Sequence, residues 1–579
     1  MRRRLPSRVA PPVAAMLLAA ALPVHAWQAV PNAGSLLQQQ QPARPPAPLP
    51  GRPALQVDPA LTPGGPTTQA FAIKAIRIVG NTAFGTDVLH ALVADAEGST
   101  MTLPQLEQLA ARLTDYYRAH GYPLSRAIVP AQHIDAGQVT LQVVEAHYGA
   151  IELDNSSKAG AALLGATLAG LQPGQPIAGD RLDRTLLLLS DVPGVAVQAI
   201  IKPGAAVGDA DLRVATRANP TALISVQTDN AGNRYIGRMR VGATLFLTNP
   251  LQHGDVFDAG VIGSFDGMQY ARLGYESVLN GHGTRAGLAY SRLHYALHGD
   301  IARLDAHGDA EVAGLWLRQP LLRARQANLS IQLGYDTKRL RDRIGALDVR
   351  TDRHVHNGVV SLNGDLRDSV FGGGVNAWSL GWTRGHTGFD DRAAALLDAA
   401  SAQTRGSFSK WNANASRLQR LGPRDTLFLN LGLQWANANL DSAEKMTLGG
   451  PYTVRAYDIG AVSGDTGQIA SAEWRHDLGA FGASGASGAF GAFGAFSEPG
   501  AGNLQTTAFL DSARVRINRN AWTTGENRAR LSGAGIGLAW TGPHAWRASA
   551  ALAAPLGSRP ALVGPQASVR AWITFGKAF

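Results

Sequence analysis

The 579-residue chain contains no cysteine, which excludes disulfides, thiol catalysis and cysteine-ligated metal sites. Charge is also scarce: Asp, Glu, Lys and Arg make up 17% of the residues, where about a quarter is usual. With 45% hydrophobic residues, the chain is too apolar to remain disordered. No window after the first 26 residues approaches about 18 uninterrupted apolar residues, so no membrane-crossing helix is expected there. The sequence has neither a glycine-rich phosphate loop nor a His-Glu-x-x-His metal site. Its histidines and serines offer no spacing that proposes a triad. His294, His354, His356 and His476 read as loop or wall residues. His354 and His356 would share one strand face, but no larger ligand cluster accompanies them. We therefore expect no catalytic constellation, cofactor or metal. The net charge is +10. Arg2, Arg3, Arg4 and Arg8 supply four of those charges, and no clustered basic motif follows them, so nucleic acid is not an expected partner.

What is present changes character along the chain. The early arginines precede an apolar run from Val13 to Leu22, and Val24-His25-Ala26 offers small residues at a cleavage site before Trp27. Residues 1–26 thus match a secretory signal peptide. Residues 27–69 hold a short helix-forming stretch at 31–41, with Leu36 and Leu37, followed by a Pro/Gly-rich linker at 42–69 expected to be extended and semi-rigid. Residues 70–148 read as one small α/β module. FAIKAIRIVG is a strand; Leu106, Leu109, Leu113 and Tyr117 recur at helical spacing after the cap Thr102; SRAIVPAQHI and QVTLQVVEAHY are two further strands around the turn Asp135-Ala136-Gly137. Residues 149–218 repeat the pattern: a strand at GAIELDN, helical leucines from Leu163 to Leu189, then the strands VAVQAIIKPG and DADLRVATR.

Residues 219–579 carry no sustained helical pattern. Segments near ten residues alternate apolar and polar between turns rich in Gly, Asn and Asp. In TLFLNLGLQWAN, Leu427, Leu429, Leu431, Leu433 and Trp435 face one way, and Phe428, Asn430, Gly432 and Gln434 the other. Strands of this length, with a polar second face and aromatics near segment ends (Tyr290, Tyr335, Trp382, Trp435, Trp540), predict an antiparallel transmembrane β-barrel rather than stacked soluble sheets. The length accommodates about 16 strands, an even number as is usual.

Two stretches rise above scaffolding. GGPYTVRAYDIGAVSGD begins with a sharp turn at Gly449-Gly450 and is too irregular for a strand. In TTAFLDSARVRI, if Leu510 faces lipid, Phe509 and Asp511 face the lumen. A carboxylate in a barrel wall calls for a partner or for water. An arginine on an infolded loop is the natural one, and Arg455 is the candidate; the alternative is two unrelated solvated charges. The chain ends on an aromatic strand, SVRAWITFGKAF, whose terminal Phe579 could also serve as an assembly signal.

The order of these pieces resembles the two-partner secretion transporters, the haemolysin secretion/activation family of the Omp85 superfamily. IRIVGNTAF, GYPLSRAIVPAQHI with GQVTLQVVEAHYG, GGPYTVRAYD and the C-terminal phenylalanine carry the resemblance. It implies a plug helix and linker, two POTRA domains in the periplasm, and a 16-stranded barrel in the bacterial outer membrane. It further implies that Val454, Arg455 and Tyr457 form the tip of an inward-folded loop, and that Arg455 meets the wall motif of Phe509 and Asp511. Ala456 and Ala513 stand where the family has glycine; Ala456 puts a left-handed or tightly packed backbone in doubt there. The implied role is export of a large unfolded exoprotein, recognised through its N-terminal secretion domain. Outer-membrane lipid, lipopolysaccharide and the outer-membrane assembly machinery are further expected partners. An outer-membrane protein insertase, or less readily a passive porin, is the alternative.

Overall fold

The computed structural model describes residues 30–40, 54–57, 70–134, 136–480, 502–564 and 566–579. The expected signal peptide, most of the linker and Asp135 lie outside these residues.

In the first α/β module, strand Gln138–Val144 lies between Ala75–Val79 and Arg126–Ile128. Helix Leu103–Ala119 covers this sheet with Leu106, Leu109, Leu113 and Tyr117, all buried. The Gln105 side chain accepts from the Thr102 amide at 2.7 Å, closing the helix start. The segment expected as one strand at 71–80 is two. Ala70–Ala72 pairs with Thr100–Thr102, then Ile73 bonds to Ser99 and Lys74 to Gly137, so the chain changes partner there. The strand expected over SRAIVPAQHI is only Arg126–Ile128, because Pro130 has no amide hydrogen with which to continue the ladder.

Glu145 ties this module together. Its carboxylate accepts from the amides of Thr82 (2.7 Å) and Ala83 (2.8 Å) and from the Tyr117 hydroxyl (2.7 Å), with the Thr82 hydroxyl in short contact. Phe84, carried on the same loop, packs edge-on against Tyr116, Tyr117 and Tyr122.

The second module begins with strand His147–Ser156, two residues earlier than expected. Its sheet runs in the order 54–57, 195–203, 209–218, 147–156, under helices Ala161–Leu168 and Gly179–Ser190. Residues 54–57 correct the reading of the linker as merely extended. They form a strand parallel to Val195–Pro203, so the linker fills one edge of this sheet. The module is seated on the near ends of the barrel strands. Arg323 grips Asp191 through Nε and Nη2 at 2.7 and 2.8 Å, Arg325 grips Asp183, and the Gly160 amide bonds to the Gln252 carbonyl.

The remaining strands, from Ala222–Asp229 to Arg570–Ala578, form a closed 16-stranded antiparallel barrel in which the last pairs with the first. Leu510 is 57% exposed and the adjacent Asp511 2%, so the alternation separates an outer apolar face from the lumen. Leu273, Leu288, Leu315, Leu333 and Leu431 are likewise exposed outward. Closure leaves no unpaired edge in hydrocarbon. Four strands, Ala306–Arg323, Ala327–Ile344, Val349–Asp368 and Gly374–Phe389, run 18, 18, 20 and 16 residues, well beyond the expected ten. Their far ends carry charged residues outward, so the ladder continues past the apolar band.

Burial pulls the Glu145 carboxyl up, but the Ala83 amide, the Thr82 hydroxyl and amide and the Tyr117 hydroxyl outweigh it and hold the group below its ordinary 4.5. The stabilisation is therefore complete above about pH 4.5 and lost as pH falls through the lowered folded value. Glu145→Gln should flatten the acid dependence of hydrogen exchange in residues 71–146 and weaken protection at pH 7 by roughly 1–3 kcal/mol. An acid profile like that of the unsubstituted protein would contradict this assignment.

Candidate functional site: the infolded loop and the helix in the lumen

Between strands Asp425–Ala436 and Thr466–Ala480 the chain does not stay outside. The short pair Met446–Leu448 and Val462–Gly464 leads it back into the lumen, with Gly449 and Gly450 at φ +95° and +103° making the turn. These angles favour glycine. The tip buries Val454, Ala456 and Tyr457 against Phe509, Ala513, Leu531 and Ala553 of the wall.

Arg455 meets Asp511 bidentately, Nε to Oδ2 and Nη2 to Oδ1, both at 2.9 Å, and its own amide bonds to Oδ2 at 3.1 Å. Nη1 reaches Glu473 at 2.5 Å, Ser471 bridges to Asp511, and the guanidinium carbon lies 3.3 Å from the Phe509 ring centroid. Trp572, on the last strand, donates to the Arg455 carbonyl at 2.7 Å. The planar fork fixes both position and orientation of the tip. The structure thus brings together all five residues singled out in the loop and wall motifs. Sequence reading missed Glu473, Ser471 and Trp572. The residues around them carry no signal of this partner, which depends on where the loop folds back.

The doubt attached to Ala456 has a structural answer. Ala456 is absent from the positive-φ residues, and its methyl lies on Gly533, the wall residue paired with Asp511. The Phe509 ring lies over Gly535 in the same way. Space lost at the tip is recovered from the wall.

A second set of pairs holds the root of the loop. Arg353 bonds to Asp441 and Asp342 at 2.6 Å each. Glu444 lies between Lys338 and Lys410, and Asn357 donates to it at 2.9 Å. Lys445 pairs with Asp465 at 2.8 Å. On the far side of the tip, Asp458 takes Arg238 and Arg570 at 2.6 Å each.

Helix Ala33–Gln40 occupies the lumen beside this root. Leu36 and Leu37 are buried with Ile236, Leu293, Ala310 and Leu340. The Ala33 amide donates to Asp342 at 2.8 Å, Gln38 to the Ala443 carbonyl, and Asn233 and Arg240 hold Gln39 and Gln40. A Cβ at Gly34 would stand 2.6 Å from the Ala443 amide nitrogen, so the helix lies on the loop with no room to spare. A lumen cavity of about 1180 Å³ is lined by Asn430, Ser471 and Asp511, among others.

The other sequence-selected residues lie elsewhere. Phe579 is exposed, bonding through its backbone to Ile224 on the first barrel strand. His294, His354 and His476 contact Asp309, Asp390 and Asp425, and His356 the Tyr335 hydroxyl.

Residues 208–540 match the model of the haemolysin secretion/activation protein ShlB/FhaC/HecB family, and residues 71–146 that of the ShlB-type POTRA domain. The chain belongs to this family. It is an outer-membrane barrel transporter of the TpsB/CdiB type with periplasmic POTRA-like domains, and a transport protein rather than an enzyme. The heme/hemopexin transporter protein HuxB of Haemophilus influenzae strain 86-028NP is 26% identical over 498 residues, covering 84% of each chain. The outer membrane transporter CdiB of Dickeya dadantii strain 3937 is 24% identical over 426 residues, covering 70% of this chain and 72% of its own. Among solved structures, CdiB from Escherichia coli superposes with TM-score 0.68 at 21% identity, covering 90% of this chain and 93% of its own. The fold is therefore that of a TpsB-type barrel.

A Cβ on Gly533 would overlap that of Ala456. Gly533→Ala should loosen the tip, read as faster proteolysis within 449–460, and Ala456→Gly in the same chain should restore resistance. Unchanged proteolysis in the single variant would refute the contact.

Proposed function

We propose that this transporter carries a large unfolded exoprotein from the periplasm to the cell surface through the lumen described above. The cargo's N-terminal secretion domain docks on the POTRA sheets by adding a strand. One edge of the second module is already taken by residues 54–57, so a cargo strand entering there displaces the linker. The observation that carries the reading is that the barrel wall is continuous while its two lumenal bodies, helix 33–40 and the loop, are held by polar side-chain contacts and buried apolar packing that can be undone without opening a strand.

In this reading Val454, Arg455 and Tyr457 form the movable tip, and Phe509 and Asp511 its seat. Helix 33–40 is the resting plug, and Phe579 closes the strand that the outer-membrane assembly machinery recognises. Residues 1–26 are the leader, 27–69 the plug and linker, 70–148 and 149–218 the two docking modules, and 219–579 the pore.

Arg455→Ala leaves Asp511 and Glu473 without the guanidinium, a loss on the order of 3–5 kcal/mol for a buried pair. Export of the cognate exoprotein should fall at least tenfold while the barrel still migrates as a folded species in unheated gels. Arg455→Lys, which keeps charge but not the fork, should lie between. Full export from Arg455→Ala would remove the loop from the mechanism.

Gly34→Ala supplies a sharper test of the plug. Alanine favours a helix by about 1 kcal/mol over glycine, yet here its methyl meets the loop. The resting conductance of the variant in planar bilayers should rise. Conductance equal to that of the unsubstituted pore would argue against this seat.

A further inference from the structure

The long strands raise a charged surface above the apolar band, outside the lumen. On this outer face the register places residues in rows. Leu333, Val360, Trp382 and Trp411 form one row, and Tyr335, Gly358, Arg384 and Ser409 lie directly above it. Thr337, His356, His386 and Ser407 follow, then Arg339, His354 and Gly388. The transition from indole to guanidinium thus takes a single row, at the height where hydrocarbon gives way to lipid headgroups.

Most charges at this level are already matched. Arg343 grips Asp352, with Nη2 2.8 Å from Oδ2, and Arg292 contacts Asp309 at 3.3 Å. Arg341 lies 3.9 Å from Glu311, and Asp390 is 2.8 Å from His354. Arg339 and Arg384 differ. Both are exposed, and among the described residues neither guanidinium makes an ion pair or a hydrogen bond. They flank a notch whose floor is Gly358, where an added Cβ would find only the Arg384 carbonyl, 3.9 Å away. The Tyr335 hydroxyl rises from the row of Arg384 to His356 at 3.1 Å and walls one side. His354 lies across Gly388, a position that leaves no space for any other side chain there. Strand spacing puts the Arg339 and Arg384 backbones roughly 16 Å apart, with His356 between them.

We propose that this notch binds the phosphorylated headgroup of an outer-leaflet glycolipid, lipopolysaccharide, with Arg339 and Arg384 each taking a phosphate. Two unpaired guanidinia directly above an aromatic row suit a ligand with acyl chains below and more than one phosphate above. A guanidinium fork matches a phosphate in geometry as well as charge. Arg384 lies near the acyl boundary and Arg339 about four residues higher. His356 and His386 add donors between them, and the shallow Gly358 floor admits a sugar ring against Tyr335. The carboxylate of Asp390 also faces this surface, beyond His354, and bounds the site on the upper side.

The test uses the full-length protein purified in detergent, freed of bound lipid, and titrated with purified lipopolysaccharide; bound lipid is read by native mass spectrometry. Arg339→Ala with Arg384→Ala should weaken binding at least tenfold, and the double lysine variant should retain most of it. Chemically dephosphorylated lipopolysaccharide should bind the unsubstituted protein no better than the double alanine variant binds the intact lipid. If the double variant fails to assemble, Arg339→Gln and Arg384→Gln singly should each weaken binding about threefold. Equal binding by the alanine or glutamine variants would overturn the site. Equal binding of the dephosphorylated lipid would overturn the phosphate assignment. Phosphatidylglycerol competing as well as lipopolysaccharide at equal phosphate would overturn the glycolipid assignment.

Discussion

Hydrocarbon cannot hydrogen-bond to a peptide group, and the architecture follows from that constraint. A sheet bathed by lipid has to close so that every ladder finds a partner, and here the last strand returns to the first. Closure by 16 strands leaves a lumen too wide for wall side chains to fill. Any seal therefore has to come from parts that are not wall. Helix 33–40 and the infolded loop lie in that lumen, the place the proposed plug requires, and both are attached by contacts that can be broken one group at a time. In the proposed route, this division between a permanent ring and removable contents lets a polypeptide pass without exposing backbone to lipid.

The attachments are graded. At the tip, one guanidinium collects Asp511, Glu473, Ser471 and the Phe509 ring. At the root, Arg353 joins the loop residue Asp441 to the wall residue Asp342, and Asp342 in turn receives the first amide of the helix. Helix and loop are therefore not held independently. Removing the helix leaves Asp342 with a free lone pair next to the arginine that holds the loop.

Much of this was legible in the sequence because strand alternation has a period of two and the lumen is polar. Leu510 and Asp511 announce opposite faces whatever their neighbours do, and Arg455 was identifiable as the cation of an irregular glycine-led loop. What the sequence did not disclose depends on register between distant segments. Gly533 is one glycine among many until Ala456 is set against it. Glu473 and Trp572 look like any wall residues until the loop arrives. Residues 54–57 sit in a Pro/Gly-rich stretch with no strand signature of their own; they are ordered by an edge about 140 residues later, which supplies the hydrogen bonds. The long strands were underestimated because their outer ends lack the apolar alternation that marks the membrane portion.

The strand at 54–57 has a kinetic consequence. The intervening residues 41–53 can span at most roughly 45 Å fully extended. An expelled helix whose linker remains paired to the second module is thus a tethered ligand. Its local concentration near the mouth is on the order of millimolar, independent of how many copies the cell makes. For the plug proposed above, resealing is then unimolecular and fast, and leakage between transport events is limited by the length of a leash rather than by diffusion.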